Sequence, residues 1–540
     1  MANAASALAA IRDADLPHPH GPLLEAFVHE FVDNERAASY LLQRCSADPG
    51  SGGLTAFLTD WIELISAFSS NVVDRVHDRR VIIDITARDG AKCGISGLPG
   101  SLLDPLIVVR IFSGINRQLS PSQHEMLAAF LTPSLRDWAL HADTGDGYQN
   151  LWLVRRSAAE AFLRGYVRLK FRDDRKYMVC INRACGHPPP GILDELPNLR
   201  TASFTDHPPS GMAVPSRQAF QILGHFSEPL RWTFVAQEIT EKRARPPASP
   251  RLTLSILRPL IELWIAFVAF ICSRAPAALR VATYLHLARI GNYLYGPTCG
   301  LGVQRLPFGL YLKKRSLEDY GTLKNEYRAL ELVRRHTDVP VPRPLDLVSD
   351  DKRSYLLTSA VPGCHVGLRI NNMSDEEVSS LVRDLRRWLE HIRSIPKRVA
   401  PEYEISNAAG EGCYDFRILA GVDCPDTRGV IFGPYKNEDD FNSILQCGAL
   451  PDVAHRAGHK IVFTHGDINM HNVMVKDGKL SGIVDWECAG WYPEYWEYTK
   501  AHYVTKHHWH WRKMVDEAFR ELGDYRDELA TEKKLWEYCF

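Results

Sequence analysis

Asp467, Asn472 and Asp485 are the residues of this 540-residue chain whose types and spacing best suit a chemical task. They lie in Ile461–Trp486, IVFTHGDINMHNVMVKDGKLSGIVDW. Phosphoryl transfer from a nucleotide needs a carboxylate to orient or deprotonate the attacking hydroxyl, and Asp467 is placed to be it. It also needs oxygen ligands for Mg²⁺, which neutralises charge on the phosphates. Asn472, five residues after Asp467, and Asp485, at the end of an apolar run, would hold that ion.

The elements around these residues must bring them together. Lys460–Thr464 reads as a strand, and Asn472–Lys476 and Leu480–Trp486 read as two more. Asp477-Gly478 between the last two is a strong hairpin signal. Pairing Lys476 with Lys479 sets Val473 opposite Gly482 and Asn472 opposite Ile483. Asp485 then lies just beyond Asn472 at the open end of the hairpin, as a shared metal would require.

Upstream, Phe308–Lys313 reads as a short strand ending in a cation. Thirteen residues after Lys313, a predicted helix carries Glu326, Leu330 and Val333 at i, i+4 and i+7. The carboxylate therefore shares the inward apolar face. A buried carboxylate requires a partner, and Lys313 is the expected one. Strand alternation aims Lys314 the other way. Pro340, Pro342 and Pro344 end the helix, and Asp351–Ser359 reads as a strand running into Ala360-Val361-Pro362-Gly363. Gly300 and Gly302, in a Gly/Pro cluster ahead of the Lys313 strand, stand where a phosphate-cradling loop would be. No GxxxxGK[ST] occurs, so a P-loop kinase is not indicated.

At these residues the chain resembles the aminoglycoside phosphotransferase and choline kinase superfamily, especially its large fungal branch. His465-Gly466-Asp467 with Asn472 is similar to that family's catalytic loop, and Ile483-Val484-Asp485-Trp486-Glu487 to its metal-binding segment. Ala489–Glu497, and Gly433-Pro434-Tyr435 with Asp440-Phe441-Asn442, resemble neighbouring stretches of the fungal branch. The resemblance covers about residues 291–540. It implies a two-lobed, protein-kinase-like α+β fold, with an amino lobe at about 291–363 and a carboxy lobe at about 364–540. It also implies that Lys313, positioned by Glu326, grips the phosphates of ATP. The hinge would be at Ser359 and Val361, whose backbone would bond the adenine. The implied reaction transfers the γ-phosphoryl group to a hydroxyl of a small molecule. Glu487, Glu494, Glu497, Asp516 and Glu517 could attract an acceptor that is cationic. Two other readings stay open. One is a nucleotide-binding protein without catalysis. The other is a protein kinase, disfavoured because no A-P-E-like signature follows Asp485.

The first 240 residues read as a separate α+β accessory domain. Arg88–Gly97, Gly145–Leu153 and Ala161–Gly165 resemble parts of fungal HNH-nuclease-like domains. An HNH site uses histidines to bind metal and activate water. Leu103–Phe112 and Ser157–Glu160, where they belong, have none. A degenerate copy without nuclease chemistry is expected, with His124 and His141 as ordinary surface histidines.

Residues 241–290 are expected to be a linker and an apolar helical segment. The run 252–272 is long enough to span a bilayer, but Arg258, Pro259 and Glu262 interrupt it. A helix packed on the kinase module, or lying at a membrane surface, is expected there. With 64 basic and 65 acidic residues, no global charge draws the chain to nucleic acid. Twelve cysteines without a CxxC pair indicate neither a zinc ribbon nor a disulfide framework. No convincing signal peptide opens the sequence, so a reducing, cytoplasmic setting is expected.

Overall fold

The computed structural model describes residues 2–30, 33–46, 51–68, 73–101, 104–112, 114–115, 118–141, 147–173, 176–181, 199–203, 212–244, 263–272, 274–295, 302–416, 430–445, 450, 452–504 and 508–538. The chain divides into two compact units, Met1–Pro246 and Pro247–Phe540.

The first unit is α+β. Helices α1 (Ala2–Asp13), α2 (His20–His29), α3 (Asn34–Ser46) and α4 (Ser51–Phe68) are followed by α5 (Arg79–Arg88) and strand β1 (Leu106–Arg110). Then come α6 (Pro121–Phe130), α7 (Pro133–His141), β2 (Leu151–Arg155) and α8 (Arg156–Leu163). Strands β3 (Val167–Phe171), β4 (Lys176–Ile181) and β5 (Leu199–Ser203) form an antiparallel sheet, and α9 (Arg217–Ala244) closes the unit. The expected boundary at residue 240 falls within α9. The core is aromatic, with Trp61, Phe27, Phe57, Phe130 and Phe226 in mutual ring contact.

The residues on which the HNH-like expectation rests make packing contacts in this unit. Arg88 is buried, donating to the carbonyls of Tyr148, Leu151 and Ala213 and pairing with Asp89, which accepts the Leu153 N–H. β1 pairs antiparallel with β2, and α8 begins where Ser157 donates to Asp104. His124 and His141 are exposed.

The second unit begins with helix α10 (263–272) and α11 (Ala277–Tyr295). Residues 252–262, the first half of the expected apolar segment, lie outside the described residues. No described helix is long and apolar enough to cross a membrane. Strands β6 (Val303–Leu306), β7 (Leu310–Ser316), β8 (Pro344–Ser349) and β9 (Arg353–Ser359) form one antiparallel sheet in the order β6-β7-β9-β8. α12 (Tyr320–His336) connects β7 to β8. Alternation along β7 sends Leu310 and Leu312 into the cluster with Val281, Tyr284 and Ala288 of α11, while Lys313 faces α12.

Past Gly363 the chain becomes mainly helical. Short strand β10 (Cys364–His365) precedes α13 (Asp375–Arg393), whose start is fixed by a capping box between Ser374 and Glu377. β11 (Ser406–Asn407), β12 (Cys413–Asp415), β13 (Val430–Phe432) and α14 (Glu438–Leu445) follow. Then come β14 (Ile461–Thr464), β15 (Val473–Lys476), β16 (Lys479–Ile483) and β17 (Gly490–Pro493). Helices α15 (Trp496–Val504), α16 (Trp509–Phe519) and α17 (Arg526–Tyr538) complete the lobe. Its core holds Trp486, Trp491, Trp496 and Trp511, all fully buried.

Candidate active site

Lys313 stands at the centre of the site. Its Nζ lies 2.8 Å from Glu326 Oε2, 2.6 Å from Asp485 Oδ1 and 2.7 Å from Glu487 Oε2. β7 supplies the lysine, α12 the first carboxylate, and the segment after β16 the other two. Arg315, two residues along the same face of β7, reaches Glu487 at 3.1 Å. Burial opposes the charge on Lys313, but Asp485, Glu326 and Glu487 outweigh it and hold the ammonium well above its usual pKa. Three carboxylates share two cations, so one negative charge is in excess. Burial, with Asp485 and Glu487, accordingly pushes the Glu326 carboxyl up, against the pull of Lys313.

Asn325, beside Glu326, ties α12 to the same segment. Its Nδ2 donates to the carbonyls of Glu487 and Ala489 at 2.9 and 2.8 Å, and its Oδ1 accepts the Ala408 N–H. Asp485 itself has φ +67°, a left-handed conformation that a non-glycine residue adopts only when its surroundings hold it there.

Asp467 follows β14 in a loop built on one carboxylate. Glu497, in the first turn of α15, accepts the backbone N–H groups of His465, Gly466 and Ile468 at 2.7, 3.1 and 3.0 Å. His465 is fully buried: Nδ1 accepts the Asp467 N–H and Nε2 donates to the Val484 carbonyl, which fixes a neutral tautomer. Gly466 has φ +81°, and a Cβ there would meet the Cys488 carbonyl at 2.5 Å, so only glycine fits this turn. Asn472 Nδ2 donates to Asp467 Oδ2 at 2.8 Å and to its carbonyl at 2.9 Å. The two side chains are therefore joined directly. That orientation leaves Asn472 Oδ1 without a donor among the described residues.

The β15–β16 hairpin departs from the expected register. Lys476 pairs with Lys479, but a bulge at Ser481 moves Met474 opposite Gly482 and Val473 opposite Ile483. Asn472 consequently accepts the N–H of Val484, the residue before Asp485. The extra residue is used: Ser481 Oγ donates to the Pro362 carbonyl at 2.5 Å, and the Ile483 N–H donates to the Pro340 carbonyl. The bulge thus docks the β15–β16 hairpin onto Pro362, between the lobes, and onto Pro340, between α12 and β8.

Ser359 lies at the end of β9, where its Oγ accepts the Arg343 N–H at 2.9 Å. Val361 packs against the backbone of Gly482, where a Cβ would meet its Cγ1 at 2.6 Å. Gly302, φ +72°, enters β6 beside Lys314, whose N–H donates to its carbonyl at 2.9 Å. Gly300 lies outside the described residues.

The acidic residues suggested for a cationic acceptor are engaged by the protein's own donors. Glu487 meets Lys313 and Arg315, and Glu497 caps the Asp467 loop. Glu494 accepts from Tyr525, Asp516 from Tyr498, and Glu517 pairs with Arg520. Among the described residues, one trio of carboxylates could share a metal. Glu326, Asp485 and Glu487 each offer an oxygen within 4.8 Å of the others. Arg315, Asn325 and Ser481 were not singled out from the sequence, and Glu487 and Glu497 were suggested only as attractors of a cationic acceptor. For Glu487 the signal was available, because it stands two residues from Asp485 within the same motif.

Residues 307–532 match the model of the phosphotransferase enzyme family, so this region is a domain of that family. It folds in two lobes, as protein kinases do, joined at Ser359–Gly363. An aminoglycoside 3'-phosphotransferase of Enterococcus faecalis is 26% identical over 198 residues, 34% of this chain and 68% of that protein. Among solved structures, aminoglycoside phosphotransferase APH(3'')-Id of Streptomyces rimosus, in complex with ADP and streptomycin, is 15% identical. That alignment covers 47% of this chain and 97% of the other, with a TM-score of 0.31. Aminoglycoside phosphotransferase APH(4)-Ia is 14% identical, covering 44% and 80%, with a TM-score of 0.30.

Proposed function

We propose that the C-terminal unit transfers the γ-phosphoryl group of ATP to a hydroxyl of a small molecule in a Mg²⁺-dependent reaction. The observation that carries this reading is the placement of Lys313 Nζ between Glu326 and Asp485, at 2.8 and 2.6 Å. A cation held on one lobe meets a carboxylate on the other, which is the juxtaposition that gripping phosphates and their metal requires.

Asp467 is the group that orients the acceptor hydroxyl and takes its proton. The Asn472 amide and the Glu497-capped loop fix its position before any substrate arrives. Lys313, its charge secured by its carboxylates, binds phosphate oxygens. Asp485 and Asn472 Oδ1 fit Mg²⁺, a hard cation that takes oxygen ligands, and Glu487 lies close enough to contribute. Bound there, the ion would neutralise phosphate charge. The family of residues 307–532 and the aminoglycoside-modifying relative support a small hydroxylated acceptor, cationic amino compounds included.

The test incubates the purified full chain with ATP, Mg²⁺ and a panel of hydroxylated metabolites and aminoglycosides. Mass spectrometry then searches for gains of one phosphoryl group. Products that form with the wild type and vanish with Asp467→Asn are expected. Nucleotide binding without product anywhere in the panel would instead favour a non-catalytic nucleotide-binding domain.

A further inference from the structure

Among the described residues, α10 and α11 pack one apolar face on the sheet and leave a second one exposed. The inward face of α10, with Ile265, Val268, Ala269 and Cys272, packs with Val281, Tyr284 and Ala288 of α11 and with Leu306, Leu310 and Leu312 of the sheet. The outward face of α10 carries Leu263, Trp264, Phe267, Phe270 and Ile271, at i, i+1, i+4, i+7 and i+8. Phe267 and Phe270 are 55% and 56% exposed. On α11, Leu279, Ile290, Tyr293 and Leu294 form a second outward stripe. Phe308, in the turn between β6 and β7, is 69% exposed, and its ring lies 5.6 Å from that of Trp264. Of the eighteen large hydrophobic side chains exposed among the described residues, twelve fall between residues 263 and 308. Water does not tolerate so concentrated an apolar surface without a partner.

The charge pattern selects the partner. From Leu263 to Leu312 the sequence contains no Asp or Glu and holds four arginines, of which Arg280 is paired with Asp346 of β8. Arg274, Arg289 and Arg305 are exposed, and the first and last lie over the rings of Phe270 and Tyr295 at 5.2 and 4.2 Å. Aromatic and aliphatic side chains flanked by arginines and free of carboxylates match the boundary between acyl chains and anionic headgroups. The ten described residues of α10 span about 15 Å, half a bilayer core, and no described helix is long and apolar enough to cross a membrane.

We propose that α10, α11 and the Phe308 turn dock the C-terminal unit on the surface of an anionic lipid bilayer. The docking face is the outer side of the sheet. Lys313 faces the opposite side, toward α12, so a lipid-bound protein keeps its phosphate site open to solution.

The test sediments the full chain with vesicles of phosphatidylcholine alone and with vesicles containing phosphatidylserine. Binding should be at least about tenfold stronger to the phosphatidylserine vesicles and should weaken in high salt. Arg274→Glu with Arg289→Glu should lower it by about tenfold or more. Phe267→Glu with Phe270→Glu should abolish it without lowering the melting temperature, because both side chains are more than half exposed. A second measurement needs no variant: vesicles should slow hydrogen exchange across 263–295 in the wild type. No sedimentation with either vesicle, or binding that ignores all four substitutions, would overturn the proposal. So would a lipid-free dimer, seen by sedimentation velocity, that Phe267→Glu with Phe270→Glu dissolves, since the face would then belong to a second copy.

Discussion

Lys313 Nζ and Asp485 Oδ1 lie 2.6 Å apart across 172 residues of sequence, and this ion pair joins the amino lobe to the segment after β16 in the carboxy lobe. Under the proposed function, nucleotide phosphates would compete for the Lys313 end and their metal for the Asp485 end. Lys313→Met removes the cation and leaves Glu326, Asp485 and Glu487 with Arg315 alone. Breaking a buried pair from one side costs about 3–5 kcal/mol, so the melting temperature should fall together with nucleotide affinity. The excess negative charge makes the loss pH-dependent. As pH falls toward the raised pKa of Glu326, protonation relieves the repulsion, and the stability gap to wild type should narrow. Melting curves at several pH values check this; a gap that stays constant from pH 8 to 5 would count against shared charge in the cluster.

Asp467→Asn separates chemistry from binding. The substitution keeps size and the contact with Asn472 but removes the charge. A positioned acid–base group contributes about 10²–10⁴-fold, so turnover should fall by that factor while ATP affinity and melting temperature change little. Single-turnover rates and nucleotide titrations on one preparation are sufficient. A rate within about threefold of wild type, with folding intact, would remove Asp467 from the mechanism.

These two predictions rest on the part of the site that local pattern made legible. Lys313 and Glu326 meet because strand alternation and helical i, i+4 spacing are both short-range rules, each readable from a few residues. The Asp477-Gly478 turn was equally readable, and both residues have positive φ. The bulge at Ser481 was not, because a regular ladder is assumed until a contact with another segment, here the Pro362 carbonyl, rewards an extra residue. Glu497 was read only as one of five carboxylates that could attract a cationic acceptor. Its partners lie about thirty residues upstream, and no periodicity announces a carboxylate that accepts three backbone N–H groups. The run 252–272 left two readings open, a helix packed on the kinase module or one at a membrane surface, because a run that is apolar all round reads the same whether one face or both are covered.

Glu497→Gln tests that missed residue. A carboxamide keeps the volume but turns one acceptor oxygen into a donor, which then confronts a backbone N–H of the Asp467 loop. Misplacing a reacting group by an ångström can cost about 100-fold, so kcat should drop by roughly 10- to 100-fold while KM for ATP stays nearly constant. A purely structural role would lower the melting temperature and leave kcat per folded molecule unchanged. Measuring both on the same sample decides between them.

The last prediction concerns how α17 is held. Glu532 is fully buried; Lys500 Nζ of α15 lies 3.0 Å from its Oε2 and His455 Nε2 3.2 Å from its Oε1. Burial opposes ionisation, but Lys500 and His455 outweigh it and hold the carboxyl down at about 2, against 4.5 in an unperturbed glutamate. A carboxyl whose pKa is lower when folded stabilises the fold above the unfolded value and loses that contribution as pH falls toward the folded one. The window is therefore pH 4.5 down to about 2. The full contribution is on the order of 3 kcal/mol. Hydrogen exchange of the α17 amides, corrected for intrinsic rates, should show opening becoming easier through this window in the wild type. Glu532→Gln leaves Lys500 buried without its counter-charge, so α17 should open readily already at pH 7. Its remaining pH dependence should be flat where the wild type's is steep. Parallel profiles for the two proteins would mean that another carboxylate governs the acid transition and that the Lys500–Glu532 pair does not anchor α17.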